Sequence, residues 1–215
     1  MKTIGVFDSG VGGLSVANAI KKALPVCAVI LKEDKANLPY GNKTPEELLK
    51  LVQPILNKLS KNCDVIVVAC NTVSTTIIDK LRKKIPIPLI AMEPMVKPAA
   101  EITKNKVITV CATPTTLAST RYKWLKDTYA KDIKVIEPDC SDWTNMIENN
   151  QIDRRRIEER INKALEESAD VIVLGCTHYH WIENLIKEIS KDRATVLQPE
   201  QPVIEQLKKV LAQQT

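Results

Sequence analysis

No stretch of 18 apolar residues occurs in this chain of 215 residues, which excludes a membrane-spanning helix. The apolar run near the N-terminus, Ile4 to Phe7, stops at Asp8 and is too short for a secretory signal, so a cytoplasmic protein is expected. Low-complexity segments are absent, and so is any Cys-x-x-Cys spacing. Without a secretory signal, the six cysteines read as reduced thiols rather than as a disulfide framework or a zinc knuckle. Aromatic residues make up only 4% of the chain, but 44% of residues are hydrophobic, which suits a soluble globular α/β protein and excludes a disordered one. Charge of one sign is also lacking: 31 Lys and Arg against 26 Asp and Glu leave +5, which does not demand a nucleic-acid partner. The basic runs Lys80 to Lys84 and Arg154 to Arg156 sit on helix-like stretches, and Glu158 and Glu159 follow the second, so both read as solvated helix faces.

What is present is an alternation. Lys2 to Phe7, Cys27 to Leu31, Val65 to Ala69, Pro88 to Ala91, Val107 to Cys111, Ile133 to Ile136, Val171 to Gly175 and Thr195 to Leu197 are short β-branched runs that predict strands. Amphipathic stretches separate them, which is the βαβα order of a mostly parallel sheet. At roughly 150 residues per domain, the length suits one large domain or two small ones. The boundary is expected at Met92 to Lys97, where Pro94 and then Pro98 interrupt the pattern. A weak internal repeat points to two halves. Asp64-Val65-Ile66-Val67-Val68-Ala69-Cys70-Asn71-Thr72 matches Asp170-Val171-Ile172-Val173-Leu174-Gly175-Cys176-Thr177-His178 in register, and Lys2 to Val6 pairs with Lys106 to Val110. Chance matching of short apolar strands is the alternative.

Cys70 and Cys176 each follow an apolar run and precede residues that can begin a helix. A thiol at a strand's carboxyl end, facing a helix amino terminus, is expected to have its pKa lowered toward neutrality. Cysteine is also a common buried residue, which is how Cys27 and Cys63 are read. Cys111 ends a strand too and can approach the same cleft, but Ala112, Thr113 and Pro114 give it no ionisable neighbour; Cys140 is read as structural. If the halves pack face to face, Cys70 and Cys176 stand on opposite walls of one crevice. Two like groups across a substrate suit a reaction whose product is the mirror image of its substrate, one thiolate taking a proton from a carbon and the opposite thiol delivering one to the other face.

Two other signals are weaker. Ser9-Gly10-Val11-Gly12-Gly13 follows the first strand, with Glu33 and Asp34 about 20 residues on as in a dinucleotide fold. Ser15, however, stands where the third glycine belongs. The amides of such a turn hold a carboxylate as readily as a phosphate. Cys176-x-His178-x-His180 uses the chain's only two histidines and invites zinc, but no fourth ligand is visible. His178 is therefore read as acid/base support and His180 as a surface or packing residue.

With Asp8-Ser9-Gly10, Asp34 through Pro39-Tyr40-Gly41, Cys70-Asn71-Thr72 and Gly175-Cys176-Thr177-His178-Tyr179 in this order, the chain resembles the glutamate racemases of the cofactor-independent aspartate/glutamate racemase family. The likeness runs from Ile4 to about Pro199. It implies two pseudo-symmetric α/β domains with mostly parallel sheets and an active site in the cleft between them, here residues 1–93 plus 196–215 and residues 94–195. It further implies reversible interconversion of L- and D-glutamate for peptidoglycan, no pyridoxal phosphate or metal, and a homodimer with neither nucleic-acid nor membrane partners. The catalytic set carried over is Cys70, which takes the α-proton from D-glutamate, Cys176, which takes it from L-glutamate, and Asp8, Asp34, Glu148 and His178. Substrate contacts carried over are Ser9, Pro39, Tyr40, Gly41, Asn71, Thr72, Thr113, Thr116 and Thr177, for which ordinary cap or turn roles are the alternative. The chain departs from the pattern in a shorter C-terminus, in lacking the N-terminal extension of members activated by a cell-wall precursor, in His180 where proline is usual and in Gln198 where an acid is usual. Rival readings are a broader racemase acting on aspartate as well and, in a different class, a non-catalytic amino-acid-binding protein.

Overall fold

The computed structural model describes residues 1–214. Its first sheet is built from β1 (Thr3–Asp8), β2 (Ala28–Glu33), β3 (Val65–Val68) and β4 (Leu89–Ala91), all parallel in the order β2-β1-β3-β4. The intervening helices are α1 (Gly12–Ala23), α2 (Pro45–Leu59), and a pair, α3 (Asn71–Thr76) and α4 (Ile78–Arg82), broken at Ile77. After the linker come α5 (Val96–Ile102), β5 (Val107–Ala112), α6 (Pro114–Ala118), α7 (Thr120–Tyr129), β6 (Lys134–Ile136), α8 (Trp143–Glu148), α9 (Arg154–Glu166), β7 (Val171–Gly175), α10 (Glu183–Ser190), β8 (Thr195–Leu197) and α11 (Glu200–Ala212). The second sheet is again parallel, in the order β6-β5-β7-β8. All eight expected strands are present, and the segments matched by the internal repeat occupy the same places in the two sheets.

Each sheet is covered on both faces, which is why its strands read as unbroken apolar runs. In β1, Ile4 and Val6 pack with Val16 and Ile20 of α1, while Phe7 faces Leu48, Val52 and Leu56 of α2. Full burial of such a side chain contributes about 1.5–3 kcal/mol. The same tie secures both halves below the sheet: Asp64 accepts the Thr3 backbone N–H at 2.7 Å, and its repeat mate Asp170 accepts those of Lys104 and Asn105 at 2.6 and 2.9 Å.

The chain returns to its first half at the end. Val203, Ile204 and Leu207 of α11 join the core of Ile4, Val16 and Met92, whereas β8 stays with β7. A division drawn at residue 196 thus falls inside β8, and the strand's pairing puts the crossover back to the first half between β8 and α11. In each sheet the connections leave in opposite directions from the two central strands, β1 and β3 or β5 and β7. Such a switch point opens a crevice at the strands' carboxyl ends.

Candidate active site

Asp8 ends β1, and Cys70 lies two residues beyond β3, beside it. The Asp8 side chain is fully buried. Its Oδ2 accepts the backbone N–H groups of Gly10 at 3.3 Å and Gly13 at 2.8 Å, and Thr177, from the other half, donates its hydroxyl to Oδ1 at 3.1 Å. The amides of the glycine turn therefore do hold a carboxylate, and it is the protein's own. Burial raises the Asp8 pKa, against the His178 charge and these hydrogen bonds.

The Cys70 thiol lies 3.5 Å from Ser9 Oγ. Burial and the neighbouring Asp8 charge push it up to about 12, outweighing the hydrogen bonds from Ser9 and the Val73 amide; the Cys176 charge raises it further. This corrects the expectation of a lowered pKa at Cys70. The six-residue helix α3 does not compensate for removing the thiolate from water.

On the opposite wall, Cys176 follows β7 and precedes a 3-10 turn, Thr177–Ile182, rather than an α-helix. Its Sγ lies 3.7 Å from His178 Nδ1, and His178 Nε2 donates to Glu148 Oε1 at 2.6 Å. Burial opposes charge on His178, but its bonds to Cys176 and Glu148 and the charges of Cys176 and Asp8 win and push its pKa up to about 10. Glu148, at the end of α8, also accepts the Val11 backbone N–H at 2.9 Å from the first half. Burial opposes the charge on Glu148, but the bonds from His178 and Val11 hold its pKa below the usual carboxylate range.

Glycine is required at the seam. A Cβ on Gly10 would stand 2.1 Å from Glu148 Oε1 and 2.6 Å from His178 Nε2, and one on Gly12 would meet Thr177 Oγ1 at 2.5 Å. All three distances are shorter than packed atoms tolerate.

The remaining expected residues form two flanking groups. Thr72 Oγ1 lies 3.0 Å from Thr113 Oγ1 and 3.4 Å from Thr116 Oγ1, so these buried hydroxyls meet across the halves while Thr113 also caps α6. Asp34 makes its side-chain hydrogen bonds within its own loop. It accepts Asn37 Nδ2 at 2.8 Å and the Tyr40 hydroxyl at 2.5 Å. Burial and then the Asp34 bond push the Tyr40 pKa far above its ordinary value, which keeps that hydroxyl a donor. Pro39, which precedes Tyr40, follows Leu38 through a cis peptide bond, and Thr115 donates to the Gly41 carbonyl. Asn71 is 2% exposed, and neither Oδ1 nor Nδ2 of its side chain has a hydrogen-bond partner.

Cys111 and Cys140 share the core of the second half with Trp143 and Ile161, and Cys63 is buried in the first, whereas Cys27 is only half-buried. His178 and His180 diverge, the second toward Ser15 and Glu200. Among the described residues no three His, Cys, Asp or Glu side chains are grouped to hold a metal ion, and no helix is long and apolar enough to cross a membrane. Sequence reasoning missed Gly10, Gly12, the Val11 amide and Thr115. The glycine-rich turn was the only sign of the first three, and nothing marked Thr115.

The sequence model of the Asp/Glu/Hydantoin racemase family matches residues 14–206. The chain belongs to that family. A glutamate racemase of Pseudomonas syringae pv. tomato is 36% identical over 215 residues, covering 97% of this chain and 78% of that protein. The crystal structure of Escherichia coli glutamate racemase, in complex with L-glutamate and activator UDP-MurNAc-ala, superposes with a TM-score of 0.91 at 26% identity, covering 98% of this chain and 82% of that one. Glutamate racemase from Francisella tularensis, in complex with D-glutamate, gives 0.82 at 27% identity over 99% and 82% of the two chains. The fold and family make this protein an enzyme of the racemase class.

Proposed function

We propose that the protein interconverts L- and D-glutamate with Cys70 and Cys176 as the two proton-transfer groups. The observation that carries this reading is the meeting of the repeat's two strand-end cysteines at one seam, each beside its own acid/base group. With L-glutamate, the Cys176 thiolate takes the α-proton, and Cys70 returns a proton to the opposite face; with D-glutamate the roles exchange. His178, held by Glu148, stabilises negative charge on Cys176, and Asp8, the buried carboxylate whose charge acts on Cys70, is the acid/base partner of that thiol. The high Cys70 pKa makes this thiol a proton donor at rest. The substrate ammonium supplies the positive charge that makes it a base.

The unpartnered Asn71 amide and the hydroxyls of Ser9, Thr72, Thr113, Thr116 and Thr177, with Tyr40 and the Pro39-Tyr40-Gly41 backbone, are assigned to substrate. A buried amide without partners costs free energy that a bound carboxylate or ammonium recovers. Asp34 positions Tyr40. The functional units are residues 1–93 with α11, and residues 94–197. Every acid and base in this scheme is a side chain, so it requires neither pyridoxal phosphate nor metal. Supply of D-glutamate for peptidoglycan, a cytoplasmic location and a homodimer belong to the same reading.

Solvent-deuterium incorporation into L-Glu, D-Glu, L-Asp and D-Asp tests it. Exchange with both glutamate enantiomers and little with aspartate is expected. Comparable exchange with aspartate would widen the substrate class, since one methylene supplies only about 1–3 kcal/mol of discrimination. No exchange with any of the four would overturn the reading in favour of a binding protein.

A further inference from the structure

His180 and Gln198, the two positions where the sequence departs from the pattern it resembles, meet at one acid. His180 Nδ1 lies 3.1 Å from Glu200 Oε1 and 3.2 Å from Ser15 Oγ. Gln198 donates Nε2 to Glu200 Oε2 at 3.4 Å and accepts the Glu200 backbone N–H at 2.9 Å. The carboxylate accepts, so Nδ1 is the donor. The His180 side chain is 3% exposed, and its other nitrogen, Nε2, is buried with no hydrogen-bond partner. Packing alone does not account for such a histidine, because an apolar side chain would fill the space without stranding a polar atom. What the imidazole gains there is a bond across the seam.

Ser15 lies on α1, and Glu200 opens α11, both packed on the first sheet, whereas His180 belongs to the turn that follows Cys176 in the second half. The neighbouring Trp181 donates its indole N–H to the Val11 carbonyl at 3.3 Å. The turn is tight: the Tyr179 N–H bonds to the Cys176 carbonyl at 3.0 Å. Displacing its far end therefore moves Thr177 and His178, whose side chains reach Asp8 and Glu148.

We propose that Ser15, His180 and Glu200 form a latch that holds the Cys176 turn against the first half, and that His180 is a positioning residue acting on the reaction through Thr177 and His178. The latch stands on geometry alone. Its effect on turnover rests on the racemase reading above.

The test compares the native protein with His180→Leu, His180→Asn, Glu200→Ala and the His180→Leu/Glu200→Ala double variant. Iodoacetamide labelling of folded protein is followed at Cys176 and Cys70 by peptide mass spectrometry, with rates in denaturant as the reference. Labelling of Cys176 should be roughly tenfold faster in His180→Leu and in Glu200→Ala, the effect of one lost bond to a charged group. The double variant should be no faster than the faster single one. His180→Asn, whose side-chain amide can stand in for the Nδ1 donor, should stay within about twofold of the native rate. Racemisation should lose kcat in the Leu variant with KM little changed, and regain it in the Asn variant. Native labelling rates in the Leu and Ala variants, equal acceleration by Leu and Asn, or additive effects in the double variant would each overturn the latch. Should the Leu variant fail to fold, Glu200→Ala against His180→Asn decides it. A native protein that does not racemise glutamate overturns the racemase reading, and labelling still decides the latch.

Discussion

The two halves share strand order, the carboxylate that ties the base of β3 or β7, and a cysteine after the same strand, yet they surround that cysteine with opposite chemistry. Cys70 has a hydroxyl and a fully buried carboxylate for neighbours, whereas Cys176 has an imidazole backed by Glu148. Neither neighbourhood is complete within its own half. Asp8 needs the Thr177 hydroxyl, and Glu148 needs the Val11 amide, so each half finishes the acid of the other. Repetition of a fold supplied two equivalent positions, and the charge type at each was set separately. Closing the seam organises both walls at once.

The most damaging way to break this comparison is to remove either thiol. Cys70→Ala and Cys176→Ala should each lower racemisation by several orders of magnitude while glutamate binding, followed by calorimetry, persists, because each loses a reacting group and little binding surface. Near-native turnover in either variant would end the two-base proposal.

Gly10→Ala removes no functional group, yet its Cβ would clash with Glu148 and His178 together. A displacement of about 1 Å at a reacting centre can cost roughly 10²-fold, and a loss of that order in kcat/KM is expected with an unchanged far-ultraviolet spectrum. Native activity in this variant would show that the seam need not close as tightly as it does here.

The halves also differ in how they respond to pH. The folded-state pKa of His178 is raised from 6.5 to about 10, so the stability it contributes is fully present below pH 6.5 and is lost as pH rises through about 10. One such proton gives at most about 1.4 kcal/mol per pH unit between those limits. Asp8, also raised, has the same sign at lower pH, its contribution fading as pH climbs from its ordinary value near 3.8. The fall in Tm between pH 6.5 and 10 should therefore be steeper in the native protein than in His178→Gln. Parallel curves would place the charge elsewhere.

Much of this architecture was legible in the chain, for a physical reason. A sheet covered on both faces demands uninterrupted β-branched runs, and Val65 to Val68 or Val171 to Leu174 leave little else to form. Cys70 and Cys176 were marked by their place after such runs. What could not be read was whatever depends on the two halves meeting. The need for Gly10 comes from a side chain at Glu148, and the partner of His180 lies on α11 only because that helix returns to the first sheet. The 3-10 turn after Cys176 likewise escaped, since Thr177-His178-Tyr179 begins a helix as plausibly as a turn. Asp34 was legible as an acid near the site but not as one spent on Tyr40.

The smallest expected effect is also the sharpest comparison of the two walls. Enantiomers have equal free energy in water, so the equilibrium constant is one and every variant must show the same kcat/KM in both directions. A directional loss in that ratio is impossible, however unevenly the walls are damaged. What can change is which proton transfer limits flux. Asp8→Asn weakens the wall of Cys70 and should raise the barrier for moving a proton to or from that thiol, while His178→Asn should do the same for Cys176. Because Cys70 is assigned the α-proton of D-glutamate, Asp8→Asn should enlarge the primary isotope effect with α-deuterated D-glutamate and leave that with L-glutamate little changed. His178→Asn should do the reverse. If both variants shift the two isotope effects alike, the partners are not divided between the thiols, and the walls act as one coupled proton network even though their residues differ.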